Sequence, residues 1–407
     1  DGSKELFDTH FPADFICEAV DQTRGWFYSQ MAVNTAVFDQ NDYRNVLVLG
    51  HILAEDGRKM SKHLGNILEP IPLMEEHGAD AVRWFMACSG SPWVARRVGH
   101  AAIQETVRKV LLTYWNSVSF LALYAHANDR SPQGEAPAVS ERPVLDRWLV
   151  LRTNLLVREV TAALEVFDSQ RTGTLLAAFI DSLSNWYVRR SRRRFWGGDP
   201  AALWTLHETL QVLTRLMAPL TPFITERVWQ DLFVATDPDA SASVHLTTWP
   251  VADEALIDTE LDEAVALTER LVELGRSARS EAKVKIRQPL SRVLVPSRAH
   301  ELLSEELHAE IEAELNVQAV ESFASAGDLV DYSAKGNFRS LGKRFGKQTP
   351  VVANAIAAAD AAELAAALRR DGTVTIEVAG VDPGGVELGT DDVLISERPR
   401  EGWSVIN

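Results

Sequence analysis

The sequence is poor in cysteine and in positive charge. Only Cys17 and Cys88 occur in 407 residues, too few for a disulfide framework or a cysteine-rich zinc site. A reducing, cytoplasmic compartment is therefore predicted, and no zinc site is expected. The 57 acidic residues outnumber the 41 Lys and Arg, which gives a formal net charge of -16. That balance argues against a non-specific nucleic-acid or membrane binder but leaves local basic patches open.

Long hydrophobic runs are also missing. No stretch approaches the roughly 18 apolar residues of a membrane span, so no membrane association is expected. The first residues, "DGSKELFDTH", have neither the form of a signal peptide nor an initiator Met, and we expect a piece whose beginning is missing. HExxH, P-loop and GxSxG motifs are absent. A length of 407 residues with 46% hydrophobic composition predicts two or three globular domains.

The first hundred residues have the pattern of a parallel α/β unit. "FICEAV" and "NVLVLGHIL" are predicted to be short buried strands, and "TRGWFYSQMAVNTAVF" between them is predicted to be a helix. Strand, helix and strand at this spacing favour parallel pairing. We assign residues 1–98 to this domain.

Residues 99–257 show the period of packed helices. Apolar residues spaced by three, four or seven positions form one stripe in each of two segments: Leu149, Leu156, Val160, Ala163 and Phe167; and Leu203, Leu206, Leu210, Leu213 and Met217. Thr221 is a predicted N-cap with Pro222 at the first helical position. Residues 128–143 and 236–243 are predicted loops by composition. This part is expected to be a helical bundle.

The remainder, residues 258–407, is predicted to be a small α+β domain. A helix over roughly 258–280 precedes the strands "SRVLVP" and "VQAVESF", which flank one acidic helix, "ELLSEELHAEIEAELN". The helix "AAELAAALRR" and the strand "TVTIEV" follow. The predicted fold class is thus α/β followed by mainly α, with an α+β end.

One short segment, "DGRKMSKHLGN" over 56–66, concentrates cations in this acidic chain. Lys59 and Lys62 lie three residues apart between Gly57 and Gly65, which can act as hinge points. Such a pair could close over a polyphosphate and neutralise charge developing on departing pyrophosphate. For an isolated K-x-x-K, however, a solvated basic turn is the commoner explanation.

The surrounding residues supply the context. "KMSKH" resembles the KMSKS signature of class I aminoacyl-tRNA synthetases, and "FICEAVDQTRGWF" resembles the adenylate-pocket segment of the isoleucine enzymes in that family. Similar segments run through most of the chain: "LSNWYVRRSRRRFW", "APLTPFITERVW", "GRSARSEAKVKIRQPLSRVLV" and "NFRSLGKRFGK". The resemblance implies the end of a Rossmann catalytic domain, a helical anticodon-binding bundle and a C-terminal α+β domain that contacts tRNA.

The resemblance also implies an activity and its partners. An isoleucine ligase of this family activates isoleucine with ATP and Mg²⁺ to an adenylate and transfers it to tRNA(Ile), as a monomer. It further implies a HIGH-type histidine motif and an inserted editing domain, neither of which occurs in this sequence. We expect the chain to start after that insertion. A non-catalytic tRNA-binding module and a fragment of a valyl or leucyl enzyme are the alternatives.

The family's nucleotide-binding positions can be carried over residue by residue. The second signature lysine, here Lys62, contacts ATP phosphates, while Lys59 assists and Ser61 lies between them. His63 stands where the family usually has Ser. Around the adenylate the matching positions are Glu18, Asp21, Gln22 and His51. Asp21 could instead be a helix N-cap, and His51 a packed histidine at a strand end.

Two basic clusters are candidate tRNA-binding surfaces. The first is predicted to lie on one helix beside Trp186 and Trp196: Arg189, Arg190, Arg192, Arg193 and Arg194. Its alternative is an internal salt-bridge network. The second is predicted to be a loop with interleaved aromatics, Phe338 and Phe345: Lys335, Arg339, Lys343, Arg344 and Lys347. Of these we select Arg339, Lys343 and Arg344 as tRNA contacts, with a solvated turn as the alternative.

Overall fold

A computed structural model describes residues 4–129, 135–323 and 330–399. The chain divides into two compact units, Asp1–Asp258 and Thr259–Asn407. Three predicted features fall partly outside the described residues: the loop over 128–143, the last predicted domain and the C-terminal end. The domain bounds 1–98, 99–257 and 258–407 stay predictions.

The first unit begins with the predicted parallel pair. Strands β1 (Ala13–Ala19) and β2 (Tyr43–Leu49) are parallel, with Glu18 opposite Val48. The prediction of one strand over "NVLVLGHIL" is wrong, because β2 stops before Gly50 and β3 (Ile52–Leu53) pairs in parallel with β4 (Arg96–Arg97) instead. The helices of this part are α1 (Lys4–His10), α2 (Trp26–Phe38), α3 (Pro70–His77) and α4 (Ala79–Cys88).

The predicted helical region follows. Its α-helices are α5 (His100–Thr106), α6 (Leu112–Ala127), α7 (Val144–Glu165), α8 (Ser169–Ser182), α9 (Arg189–Trp196), α10 (Pro200–Met217) and α11 (Pro222–Val228). Segments of π-helix extend several of them, at Val107–Leu111, Leu183–Val188 and Trp229–Val234. Short 3-10 turns in this unit span Val20–Arg24, Lys62–Leu64, Val139–Glu141, Val244–Leu246 and Glu254–Leu256.

The two apolar stripes form the core of the bundle. All five members of the stripe on α10 are at most 2% exposed, and the stripe on α7 is buried from Leu149 to Ala163. Phe167 is the exception, because α7 ends at Glu165 and Phe167 adopts a left-handed backbone with φ 57°. Its ring stacks instead on Phe15 of β1, with centroids 4.7 Å apart.

Helix α4 fastens the α/β part to the bundle within this unit. The buried Asp80 carboxylate accepts the backbone N–H of Phe223 and, at 2.6 Å, that of Ile224. The N-terminus of α11 is therefore capped by Asp80, whereas the Thr221 hydroxyl donates back to the Met217 carbonyl rather than forming the predicted cap. Burial raises the pKa of Asp80 despite these bonds.

Further contacts hold α4 against the bundle. Arg83 of α4 donates to the carbonyl oxygens of Leu220 and Pro219. Where α4 meets α8, a Cβ on Gly173 would lie 2.2 Å from the Cβ of Cys88. Only glycine fits there, so the absence of a side chain at residue 173 lets the two helices touch.

The second unit is α+β, as predicted. Its helices are α12 (Thr259–Glu281), α13 (Ser297–Glu301), α14 (Glu305–Leu315), α15 (Phe338–Phe345), α16 (Thr349–Ala358) and α17 (Ala361–Asp371). Its strands are β5 (Val293–Pro296), β6 (Val320–Phe323), β7 (Val330–Gly336), β8 (Thr373–Val378), β9 (Asp382–Gly389) and β10 (Val393–Pro399). A 3-10 turn spans Gly346–Gln348.

Strand pairing in this unit joins β5 with β6 in parallel, and β8 with β9 and β7 with β10 antiparallel. The acidic helix predicted between β5 and β6 is confirmed as α14, which starts later than expected because Ser304 caps it, and a short helix that was not predicted, α13, precedes it. Among the described residues no single helix is long and apolar enough to cross a membrane. The bent pair of Phe338–Ala358 with Ala361–Asp371 is apolar enough only when combined, and its apolar side chains fill this unit's core.

Candidate functional site

The signature loop is a tight turn that its own backbone closes. The Ala54 N–H donates to the Arg58 carbonyl at 2.9 Å, and Gly57 donates to Ala54 at 2.8 Å. Gly57 takes φ 83° and Gly65 takes φ 61°, in the left-handed region where glycine is favoured. The two glycines thus occupy the special backbone positions expected of them.

Arg58 is not available as a free cation in this turn. Its guanidinium pairs with Asp56 at 2.7 Å, and hydrogen bonds from Arg58 lower the pKa of Asp56. Lys59 is exposed and forms no ion pair with any side chain among the described residues. The loop therefore presents an unneutralised ammonium group at Lys59.

Asn66 fixes the ends of the lysine segment. Its side-chain oxygen accepts the Ser61 N–H at 2.9 Å, and its amide nitrogen donates to the Lys59 carbonyl at 3.3 Å. Residues 62–64 form one 3-10 turn, in which the side chain of Lys62 lies outside the described part of the chain. Sequence reasoning missed the role of Asn66, although the residue lies inside the quoted motif.

The expected adenylate residues follow the carboxyl ends of neighbouring strands. Glu18 is exposed near the end of β1, and Asp21 and Gln22 lie in the turn that follows it. His51 is exposed just beyond β2, where its carbonyl accepts the Arg96 N–H at 3.0 Å. Carboxyl ends of parallel strands are where open α/β sheets bind ligands.

The alternative explanation of Asp21 as a helix cap is wrong. The Gln22 side chain instead accepts the Trp26 N–H at 2.8 Å at the start of α2 and donates to Asp21 at 3.2 Å. Asp21 keeps an exposed carboxylate. His51 is likewise exposed rather than packed, so both side chains are open to a ligand.

The arginine helix α9 has one inward-facing member, and this corrects the prediction for Arg194. Its guanidinium binds the fully buried Asp146 through two 2.7 Å hydrogen bonds and binds Asp199 through a third at 2.8 Å. Tyr187 donates to the same Asp146 at 2.8 Å. Arg194 therefore belongs to an internal network, because the carboxylates of α7 and the α10 cap neutralise it.

The other arginines of α9 differ in their surroundings. Arg189 donates to the Asn185 carbonyl at 2.8 Å, and Arg190 is half-buried. Arg192 and Arg193 are exposed and form no ion pair within the part of the chain that the structure describes. Trp186 is buried in the bundle, whereas Trp196 is 75% exposed beside these arginines. An exposed aromatic ring next to free guanidinium groups suits stacking on RNA bases.

The second basic cluster was predicted to be a loop, but Arg339, Lys343 and Arg344 lie on α15, Lys335 lies in β7 and Lys347 lies in the 3-10 turn after the helix. Asn337 caps α15 by accepting the Arg339 N–H, and the helix then carries Arg339 and Lys343 on exposed positions. Arg344, on the same helix, pairs with the buried Asp392 and donates to the Glu387 carbonyl while its side chain stays 45% exposed, so the tRNA contact expected of it stays a prediction.

Asp392 is the buried partner of the exposed Arg344. Burial alone would raise the pKa of Asp392, but hydrogen bonds from Ser340 and Gly389 and the charge of Arg344 lower it. The carboxylate therefore stays ionised at neutral pH and retains its arginine. Arg339, Lys343 and the 62%-exposed Phe338 remain on the surface.

Comparison with known proteins agrees with this arrangement. A family model described as "tRNA synthetases class I (I, L, M and V)" matches residues 2–96, and "Anticodon-binding domain of tRNA ligase" matches residues 146–294. Together they match more than half of the chain. The chain belongs to the class I tRNA synthetases.

Individual curated relatives indicate a narrower group within this class. The chain is 64% identical to an isoleucine–tRNA ligase of Cutibacterium acnes over all of its residues, 62% identical to that of Streptomyces coelicolor over 99%, and 43% identical to that of Deinococcus radiodurans over 98%. It spans 39%, 38% and 37% of their lengths. Within its class the chain therefore corresponds to part of an isoleucine–tRNA ligase, and the resemblance noted in the sequence is confirmed.

Solved structures show weaker likeness. A LeuRS–tRNA–LeuAMS complex of Agrobacterium radiobacter K84 matches with a TM-score of 0.49 and 21% identity, over 62% of this chain and 30% of that one. Methionyl-tRNA synthetase of Mycobacterium tuberculosis with methionyl-adenylate matches with a TM-score of 0.47 and 19% identity, over 61% and 52%. The family assignment rests on the family models and the curated relatives.

Proposed function

We propose that this chain is the part of an isoleucine–tRNA ligase that supplies the signature lysine loop and binds the anticodon region of tRNA(Ile). The whole enzyme would activate isoleucine with ATP and Mg²⁺ and transfer it to the tRNA. High identity to isoleucine–tRNA ligases over the full chain supports this function. The observation that carries it is the exposed, unneutralised Lys59 on a glycine-flanked loop that Asn66 closes.

In this function the loop works by charge. Breaking the α–β phosphate bond of ATP builds negative charge on pyrophosphate, and Lys62 and Lys59 would offset it more strongly in the transition state than in the ground state. Glu18, Asp21 and Gln22 would hold the α-ammonium and ribose hydroxyls of the adenylate, with His51 at the adenine or ribose edge. Ser61 lies between the two lysines and donates its backbone N–H to the Asn66 side chain.

For tRNA we propose two contact surfaces, each within its own unit. On α9 they are Arg192 and Arg193 with Trp196, joined by Arg189 and Arg190 where their present partners allow. On α15 they are Arg339 and Lys343 with Phe338. Arg194 and Arg344 are omitted, because each neutralises a buried carboxylate of this chain. A cytoplasmic location and a monomeric state stay predictions.

Replacing Arg192 and Arg193 together with alanine tests the first surface. We expect tRNA(Ile) affinity of the 407-residue chain to fall about 10-fold at low salt, and the slope of log affinity against log salt to shrink by about 2, because two phosphate contacts are lost. Filter binding across a salt series measures both. The matched control, Arg227→Ala with Arg270→Ala, removes two exposed, ion-paired arginines elsewhere and should leave the slope unchanged. Equal losses in both double variants would contradict the assignment.

Complementation separates an enzyme fragment from a binding module. Supplying in trans the rest of an isoleucine–tRNA ligase, of whose length this chain spans 37–39%, should restore isoleucine-dependent ATP–pyrophosphate exchange, which neither piece performs alone. A module that retains only tRNA binding would give no exchange. The same assay with valine and leucine tests the other two specificities, and exchange that prefers either of them would overturn the isoleucine assignment.

A further inference from the structure

Two histidines and a glutamate meet at a corner of the first unit that the proposed function does not use. Nε2 of His77, at the end of α3, lies 2.9 Å from Nδ1 of His100, the first residue of α5. The Glu76 carboxylate reaches both rings, with its oxygens 3.2 Å from His100 Nδ1 and 3.6 Å from His77 Nε2. Three potential ligand atoms thus converge on one point.

The spacing of these atoms fits a shared cation. Ligands about 2.0–2.2 Å from a tetrahedral ion lie about 3.3 Å apart from one another. The two ring nitrogens are 2.9 Å apart, and each has one of the two Glu76 oxygens near it, Oε2 at 3.2 Å from His100 and Oε1 at 3.6 Å from His77. Two neutral imidazoles facing nitrogen to nitrogen can share only one proton, whereas a divalent ion satisfies both lone pairs and the carboxylate together. Two imidazoles with one carboxylate is a donor set that Zn²⁺ takes in proteins, with a fourth position left for water.

The surroundings of the cluster also favour a cation. The His77 side chain is only 8% exposed, so one ligand is held rigidly, while His100 is half exposed and leaves an entry path. The site lies at the carboxyl end of α3, where the helix dipole attracts positive charge. Gly99 beside it packs against the signature loop, since a Cβ there would lie 2.8 Å from the Glu55 carboxyl carbon.

We propose that Glu76, His77 and His100 bind one Zn²⁺ ion, which ties the end of α3 to the start of α5 next to the signature loop. The site contains no cysteine. The scarcity of cysteines, from which no zinc site was expected, therefore gives no information about it. Cys17 and Cys88 are poorer zinc ligands than this cluster, because the thiolate is the form that binds metal. Burial raises the pKa of Cys88 to about 12 and also raises the pKa of Cys17.

Titration of the metal-free 407-residue chain with Zn²⁺ tests the proposal. We expect one equivalent to bind, and His100→Ala to weaken that binding by about 100-fold or more because a ligand is lost. With free Zn²⁺ a hundred-fold above its dissociation constant, the melting temperature of the wild-type chain should rise by about 5 °C and that of His100→Ala should not. Co²⁺ in place of Zn²⁺ should give visible d–d absorption without a thiolate charge-transfer band.

Matched variants keep the result interpretable. His126→Ala removes another exposed helical histidine and should bind Zn²⁺ like the wild type. His77→Gln, which preserves a similar volume at the buried position, should lose the site while circular dichroism shows an unchanged helix content. The proposal is overturned if the wild-type chain binds no stoichiometric Zn²⁺, if His100→Ala binds as tightly as the wild type, or if Co²⁺ shows a thiolate band. None of these results bears on the proposed ligase function.

Discussion

Replacing Lys62 with alanine in the full-length enzyme is expected to slow isoleucyl-adenylate formation by about 10²–10³-fold. The reason is electrostatic: a positive charge placed where negative charge develops on pyrophosphate stabilises the transition state by several kcal/mol in a water-poor site. The KM for isoleucine should change little, because the role proposed for Lys62 is on phosphate rather than on the amino acid. Isoleucine-dependent ATP–pyrophosphate exchange measures the rate.

The matched control for this experiment is Lys109→Ala. Lys109 is exposed on a helical segment of the bundle and pairs with Glu105 at 2.7 Å, away from the loop. Its removal should leave exchange within about twofold of the wild type, since an exposed pair contributes little. If Lys62→Ala behaved like Lys109→Ala, the phosphate role of the loop would have to be abandoned. Lys59→Ala should have an effect between the two, because the role proposed for this lysine is to assist Lys62.

Replacing Asp146 with alanine should destabilise the first unit by about 3–5 kcal/mol. Asp146 is fully buried and accepts hydrogen bonds from Tyr187 and, twice, from Arg194. Its removal leaves the Tyr187 hydroxyl without its acceptor and Arg194 with Asp199 as its one remaining carboxylate, and a broken buried pair costs far more than an exposed one. Urea unfolding followed by circular dichroism measures the change.

Two further variants show whether the buried network is responsible. Asp231→Ala breaks an exposed pair with Arg227 and should cost less than about 0.5 kcal/mol. Adding Arg194→Met to Asp146→Ala should recover part of the lost stability, because the stranded charge is replaced by an apolar side chain. Equal destabilisation by Asp146→Ala and Asp231→Ala would show that the network contributes no more than a surface pair.

Local periodicity predicted much of the fold. The stripe on α10 follows from apolar spacing, because that helix buries the face that its own sequence marks. The order of strand, helix and strand over β1, α2 and β2 was also predicted, but the prediction that the two strands are buried is wrong, since neither has a buried residue and α2 buries Phe27 alone. Phe167 fits the stripe of α7 in spacing but lies beyond the helix end, so periodicity alone could not place it. The two-residue strands β3 and β4 carry too few residues to show any period.

The sequence could not predict which residues far apart in the chain become hydrogen-bond partners. Asp80 caps a helix that starts 142 positions later, and Arg194 binds a carboxylate 48 positions earlier. Neither leaves a local pattern, since the hydrogen bonds depend on how the helices pack. The same applies to Arg344 and Asp392, which are 48 positions apart.

In the candidate site, too, some features could be predicted from the sequence and others could not. The lysine segment and its two glycines could be identified from composition and from resemblance to a family motif, because that information lies in eleven consecutive residues. Which arginines face outward on α9 could not be identified, since a helix with cations over more than half its circumference gives no orientation. Three-dimensional packing against Asp146 and Asp199 decides it.

Helix α4 limits how the α/β part of the first unit can move against the bundle. The glycine contact at residue 173 and the bonds from Asp80 and Arg83 leave α4 no room to slide against the bundle without uncovering buried polar groups. In the proposed function the α9 arginines and the lysine loop, which lie on opposite sides of this junction in the sequence, would contact the same tRNA, and a stiff junction between them would favour RNA shapes that reach both.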